Sequence, residues 1–350
     1  MKKLVLMITA LMTCMIMRAA SDDNEITVSI NYNADGTAVE MDVPAEISQF
    51  VNCTSGTSPH IKIVQSLSKE NNPNNYVICY SLKGTTNDGS FYLEGDHKTV
   101  VELNGLTLTN PSGAAINLQN GKNNKIYVKK NTTNSLTDGK NEDTNGCIHC
   151  KGHLEFKKTG TLNIVGNSKH GIYSKEYCQI AKPTINITKA KKDGIHCKQY
   201  FWLEDAAVVN ISGAGDDGIQ VEYDDKDAYT GPLPNHEDVD ENGEDFDENS
   251  GYFYQDAGTL TISDFAGFAI KADGKVIING GTQNYDASKV SEDNNVPAGI
   301  SDVRSDDTRM NGYTTDTVIY DVTGRQLKDI RKGQIIIIKQ GNDVRKAIVQ

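Results

Sequence analysis

Two acidic elements stand immediately before Gly-Ile pairs, Asp193-Gly194-Ile195 and Asp216-Asp217-Gly218-Ile219. Carboxylates brought within about 5 Å of one another repel, and a hard cation relieves the repulsion by taking several oxygen ligands. Asp193, Asp216 and Asp217 are therefore candidate calcium ligands, and Glu222, Asp224 and Asp225 lie close enough in sequence to complete the set. The competing reading is that each aspartate caps a turn with its side chain. A second set follows the isoleucines: His149, Tyr173, His196, Gln220 and Lys271. Strand alternation points these residues outward. Rings and amides in that position can stack on sugars and hydrogen-bond their hydroxyls, or they form an ordinary solvated strand face. A lyase acting beside a uronate carboxylate needs a base near calcium, and Lys271 or Lys198 is the candidate for it.

Cys147-Ile148-His149-Cys150, with His153, His196 and Cys197, invites a zinc reading. Zinc requires ligands that converge. Alternation puts Cys147 and His149 on one side of a strand and Ile148 and Cys150 on the other. The better account is small cysteines stacked in an interior. Six cysteines follow the leader (Cys53, Cys79, Cys147, Cys150, Cys178 and Cys197), and their spacing demands no disulfide.

The elements that must position these groups repeat. Ile148, Ile172, Ile195 and Ile219 are 24, 23 and 24 residues apart. Between them come two further strand-like runs at matching places. One contains Leu154 to Phe156, Tyr177 to Ile180 and Phe201 to Leu203. The other contains Leu162 to Ile164, Ile185 to Ile187 and Val209 to Ile211. A short period with three strands per repeat predicts an all-β, right-handed, single-stranded parallel β-helix. Successive rungs then pair at about 4.8 Å, the isoleucines stack into an apolar column, and His170, Asp193 and Asp217 fall into a second column. The glycines before the isoleucines fit a corner where a Cβ would clash or φ is positive. Leucine-rich repeats have a similar period but a different core pattern, which is absent.

Several motifs recur in order: Leu103 to Asn110, Ser112 to Ile116, Ser135 to Gly139, Asp193 to Ile195, Gly215 to Gln220, Ala269 to Lys271 and Gly274 to Gly281. Over roughly residues 60–285 they resemble a bacterial carbohydrate-binding, pectate-lyase-like β-helix family. The resemblance implies binding of acidic sugars and plant-type glucans with calcium at the helix surface; lytic activity is not a settled property of that family. Many members repeat Asp-Gly-Ile-Lys in each rung. Here Asn145 and His170 stand for Asp in two rungs, and His149, Tyr173, His196 and Gln220 stand for Lys. These departures bear on the cation sites and on any lysine-based chemistry, and they favour binding over catalysis.

The ends differ from the repeat. Residues 1–21 read as a signal peptide: Lys2 and Lys3, then an apolar run from Leu4 to Met17 too short to span a bilayer. Leu11 to Cys14 loosely resembles a lipoprotein signal, but the apolar residues after Cys14 argue against lipidation. Residues 22–60 read as an N-terminal cap, 61–285 as the β-helix and 286–310 as a linker. Residues 311–350, with Val318 to Leu327 and Lys332 to Ile338, resemble a type IX secretion sorting domain. The chain is thus expected to be exported, to the cell surface, the medium or the periplasm, and to be a monomer. Residues 224–250 interrupt the repeat with an acidic loop in which Asp238 to Gly243 mimics the start of a calcium loop. It reads either as a solvated loop or as a calcium-ordered flap. A net charge of −12 excludes nucleic acid as a partner by repulsion, and no segment after the leader is long and apolar enough to cross a membrane.

Overall fold

The computed structural model describes residues 24–222 and 251–292, and the backbone of three further strands at Thr317–Asp321, Ile335–Gln340 and Asp343–Ile348. The described residues contain no α-helix, only two 3-10 turns at Ser48–Phe50 and Ala287–Lys289. The 24-residue period becomes one rung of a parallel β-helix. Gly146–Cys150 forms the first face, Leu154–Lys157 the second and Thr161–Gly166 the third. The chain then returns as His170–Ser174 and pairs in parallel on Gly146–Cys150.

The first face is a sheet of its own, ten strands from Val51–Cys53 to Val290–Glu292. The second and third faces belong to one larger sheet, because in two early rungs a single strand serves both. These strands, Tyr76–Thr86 and Thr99–Thr109, bend at Gly84 and Gly105, where φ is +104° and +76°. The left-handed backbone turns the corner there without a loop.

Inside, the isoleucine column is longer than the four rungs that reveal it. Ile61, Phe91, Ile116, Ile148, Ile172, Ile195, Ile219, Ile270 and Val290 stack in register. Phe201 and Phe253 stack on the second face at 5.2 Å. Two buried polar side chains bond to backbone groups: Asn134 accepts from the Gly105 and Leu106 N–H groups, and the Ser174 hydroxyl reaches the Gly152 and Tyr177 carbonyls. All six cysteines are free, and Cys147, Cys150, Cys178 and Cys197 lie in the core. Cys147 departs from alternation: it stands at the start of the strand Gly146–Cys150 and is buried in the core, while His149 is not. Cys79 faces the other way, into a small cluster with Val77 and Val100.

At the N-terminal end, Val39–Asp42 runs antiparallel to Asn24–Tyr32, and Val51–Cys53 antiparallel to His60–Gln65. Antiparallel edges at the end of a solenoid close its stack. The three C-terminal strands form a separate antiparallel sheet. The expected signal peptide of residues 1–21 and the acidic loop of 224–250, including Asp224, Asp225 and Asp238 to Gly243, lie outside the described residues.

The corner before the first face explains the glycines. The position ahead of the stacked isoleucine is Ala115, Cys147, Gly171, Gly194, Gly218 and Ala269 in successive rungs. A Cβ on Gly171, Gly194 or Gly218 would lie 2.7, 2.6 or 2.5 Å from the backbone oxygen of the next rung. None of the three has a positive φ, so steric closeness, not backbone freedom, requires glycine. Gly194→Ala is expected to lower stability by about 1–3 kcal/mol through overpacking. Gly121→Ala, where a Cβ meets nothing within 4 Å, should change it by less than about 0.5 kcal/mol. Urea denaturation of both variants checks the contrast.

Candidate functional site

The helix sets the site by register. On the first face Lys62, Tyr92, Asn117, His149, Tyr173, His196, Gln220, Lys271 and Ser291 occupy one outward file. All five residues expected to face sugar, His149, Tyr173, His196, Gln220 and Lys271, are members. The file is not uniformly exposed. Tyr173 and His196 retain only 8% and 7% of their surface, which corrects the expectation of a flat exposed row. The rings close on one another, with centroids 5.2 Å apart for His149–Tyr173 and 5.5 Å for Tyr173–His196. The accessible members lie on either side of this pair: Lys62 over the Tyr92 ring, Asn117 bonded to Gln119, and Gln220 and Lys271 beyond.

Next to the file runs the column Gly146, His170, Asp193, Asp217 and Phe268. Register places Gly146, not Asn145, opposite His170, so Asn145 does not occupy an aspartate position. Asn145 instead donates its N–H to His149 Nδ1 at 2.9 Å. The three polar members of the column each accept the backbone N–H of the next rung: Asp193 N–H to His170 Nδ1 (3.3 Å), Asp217 N–H to Asp193 Oδ1 (3.1 Å) and Phe268 N–H to Asp217 Oδ1 (2.7 Å). The turn-capping reading of the aspartates is thus realised across rungs.

The carboxylates also converge. Asp193, Asp216 and Asp217 each offer an oxygen within 4.8 Å of the others. Asp216 is exposed, and the buried Asp217 Oδ2 makes no hydrogen bond, with Lys271 Nζ 3.7 Å away. Gly267 leaves the approach clear, since a Cβ there would come within 2.3 Å of Asp217 Oδ1 and 2.9 Å of Asp216 Oδ1. Burial, then the charges of Asp193 and Asp216, hold the Asp217 carboxyl above its ordinary range. Asp216, on the exposed side, and the unbonded Asp217 Oδ2 are the oxygens that could hold a hard cation at this edge. Glu222 is not brought to it: its two oxygens bind His196 Nε2 (3.3 Å) and the Gln220 amide (2.8 Å).

Asp193 is committed on its other side. Its Oδ2 lies 3.1 Å from His170 Nδ1 and 2.9 Å from His196 Nδ1. Burial opposes ionisation of Asp193, but the two imidazoles outweigh it and drive its carboxyl far below the usual range. Burial likewise opposes the charged form of His196, yet bonds to Asp193 and Glu222 raise it above its ordinary value. Sequence reasoning placed His170 in the column without assigning it a role. The two spacings that carry that role are one rung from His170 to Asp193 and three residues from Asp193 to His196. A second group was also missed. The chain's one tryptophan, Trp202, sits with Tyr177, Tyr200, Tyr252 and Tyr254 on the second face. Only alignment of that face's strands reveals the cluster.

Fold and file together define a parallel β-helix with one polar, ring-bearing sheet. A family described as "Carbohydrate-binding domain-containing protein" matches residues 74–343, and the chain belongs to that family. A protein of the same description from Acetivibrio thermocellus is 28% identical over 118 residues, covering 31% of this chain and 41% of the relative. The chain thus spans less than half of that relative's length. Among solved structures, one titled "polysaccharide lyase-like protein from C. thermocellum, Gadolinium derivative" superposes with a TM-score of 0.53 at 19% identity, over 77% of this chain and 98% of that one. It shares the fold.

His149 supplies a pH test. Burial, then the charge of Lys169, lowers its pKa from 6.5 to about 4, and its Nδ1 must stay unprotonated to accept from Asn145. Below pH 6.5 the unfolded chain takes up a proton that native His149 refuses. Its stabilising contribution is therefore complete above that pH and lost as pH falls toward about 4, on the order of 1–3 kcal/mol. His196, shifted the other way, opposes this trend. Urea midpoints should fall between about pH 7 and pH 4.5, and His149→Asn should show the smaller fall.

Proposed function

We propose that this chain is an exported protein that binds polysaccharide along the first face of its β-helix, with calcium at the Asp193, Asp216 and Asp217 edge. The observation that supports this reading is the unbroken file from Lys62 to Ser291. Its side chains recur once per rung, about 4.8 Å apart, a step comparable to the length of one sugar ring. A linear glycan lying along the helix axis would therefore meet equivalent positions repeatedly. Tyr92, Tyr173 and the imidazoles supply ring faces; Asn117 and Gln220 supply amides. Lys62 and Lys271 supply cations for uronate carboxylates, which suits acidic, pectin-like chains, and the amides and rings also suit neutral plant glucans.

Calcium would sit beside the file at Gln220 and Lys271, held by Asp216 and Asp217 with Asp193 behind them. Asp224 and Asp225 remain proposed contributors on sequence grounds. When bound, the ion neutralises the acidic edge and offers a ligand position to a sugar carboxylate. The protein's own part is to hold the oxygens in place through the Phe268 and Asp217 N–H bonds. Lysine-based lysis is the weaker reading, because the only file lysine near this edge, Lys271, pairs with Asp217.

Glycan-array binding of the full chain, with and without chelator, tests the proposal. Binding to at least one acidic or plant-type glycan is expected. Chelation and Asp217→Asn should each weaken it, and Tyr92→Ala with Gln220→Ala should weaken it about tenfold or more, given that ring stacking and buried polar contacts contribute about 1–2 kcal/mol. No binding to any glycan, or binding indifferent to the file variants, would overturn it. Release of unsaturated products from polygalacturonate would replace binding with lysis.

A further inference from the structure

Deeper than the acidic edge lies a second cluster, which shares Asp193 with that edge and His196 with the outward file. His170, Asp193 and His196 each offer one ligand atom, all within 4.8 Å of one another. They are nearly sealed, with 7%, 1% and 7% of their surfaces exposed. The two imidazoles present nitrogen, which suits a borderline cation of the zinc class and not calcium.

Within the cluster, His170 Nδ1 has competing hydrogen-bond demands. His170 Nδ1 faces two groups of opposite demand, the Asp193 N–H at 3.3 Å and Asp193 Oδ2 at 3.1 Å. A lone pair on Nδ1 accepts from the N–H but opposes the carboxylate. A proton on Nδ1 serves the carboxylate but opposes the N–H. A cation between Nδ1 and Oδ2 takes the lone pair and satisfies the carboxylate, in exchange for the long 3.3 Å contact from the Asp193 N–H. His196 repeats the approach, with its Nδ1 2.9 Å from the same oxygen.

The separations fit a metal polyhedron. With metal–ligand bonds of about 2.0–2.2 Å, neighbouring donor atoms lie about 2.9–3.4 Å apart. The surroundings are those of a built site. His196 turns its other nitrogen to Glu222 Oε2 at 3.3 Å, the carboxylate–histidine pairing that fixes a ligating imidazole. Asp193 Oδ1 is fixed by the Asp217 N–H. Tyr173 packs against both rings, at 5.9 Å from His170 and 5.5 Å from His196.

We propose that His170, Asp193 and His196 bind one divalent transition-metal ion of the zinc class, with Glu222 orienting His196. Three protein ligands leave at least one coordination position for water or an oxygen ligand. The site lies on the first face yet is separate in chemistry from the calcium edge, with Asp193 common to both.

The test uses the full chain, stripped of metal and titrated with Co2+ and then Zn2+. One equivalent of Co2+ should give ligand-field bands without the charge-transfer band of a cobalt–thiolate, and Zn2+ should displace it. His196→Gln should cost at least tenfold in affinity, as should His170→Gln if that variant folds. Glu222→Gln should cost about tenfold. X-ray absorption of the zinc-loaded wild type, which depends on no variant, should show nitrogen and oxygen neighbours with imidazole outer-shell scattering. Failure to bind one equivalent, a sulfur shell, or unchanged affinity in His196→Gln would overturn the proposal. None of these readouts depends on glycan binding, so the two proposals fail separately.

Discussion

The structure depends on how closely one rung can lie on the next at a single corner. At Gly171, Gly194 and Gly218 the following rung's backbone oxygen occupies the space where a Cβ would be. That contact fixes the register of the first face, and register fixes everything built on it. A slip of one residue would move every file residue to the interior and every isoleucine to solvent. The isoleucine column supplies the driving force by leaving water; the glycine column decides which alignment that burial adopts. Where the corner admits a side chain, at Ala115, Cys147 and Ala269, the glycine run has ended.

The inter-rung bonds of His170, Asp193 and Asp217 follow from the same constraint. Because each rung sits directly over the last, one short side chain reaches the next backbone N–H and closes it. The same side chains then have oxygens and nitrogens left over, and these point at one another. A structural device thus creates a concentration of charge and lone pairs on one edge. The binding surface beside it inherits that edge, which is why a cation and a glycan are proposed for one face.

Much of this was legible in the sequence because a solenoid converts spacing directly into proximity. The period identified the fold, and counting from Ile148 placed His149, Tyr173, His196, Gln220 and Lys271 in one file. Cys150, Cys178 and Cys197 were correctly read as interior. What escaped were effects of the third dimension at corners and between side chains. Asn145 aligned by its neighbouring glycine, yet the rung pairs through Gly146, and Cys147 turned inward where alternation broke. The burial of Tyr173 and His196 comes from rings closing on each other, which no count of residues reports. Glu222 looked like a calcium ligand by nearness in sequence, but His196 and Gln220 occupy it. Trp202 and its tyrosines required three strands of the second face to be aligned at once.

The central claim is that the first-face file is where polysaccharide lies. The most direct measurement is a crystal structure of the chain soaked with an acidic oligosaccharide in the presence of calcium. The account predicts sugar rings running along the helix axis over Tyr92, Asn117, Gln220 and Lys271, with a carboxylate directed to the Asp216 and Asp217 edge. A sugar bound instead to the second face, against Trp202, would contradict it.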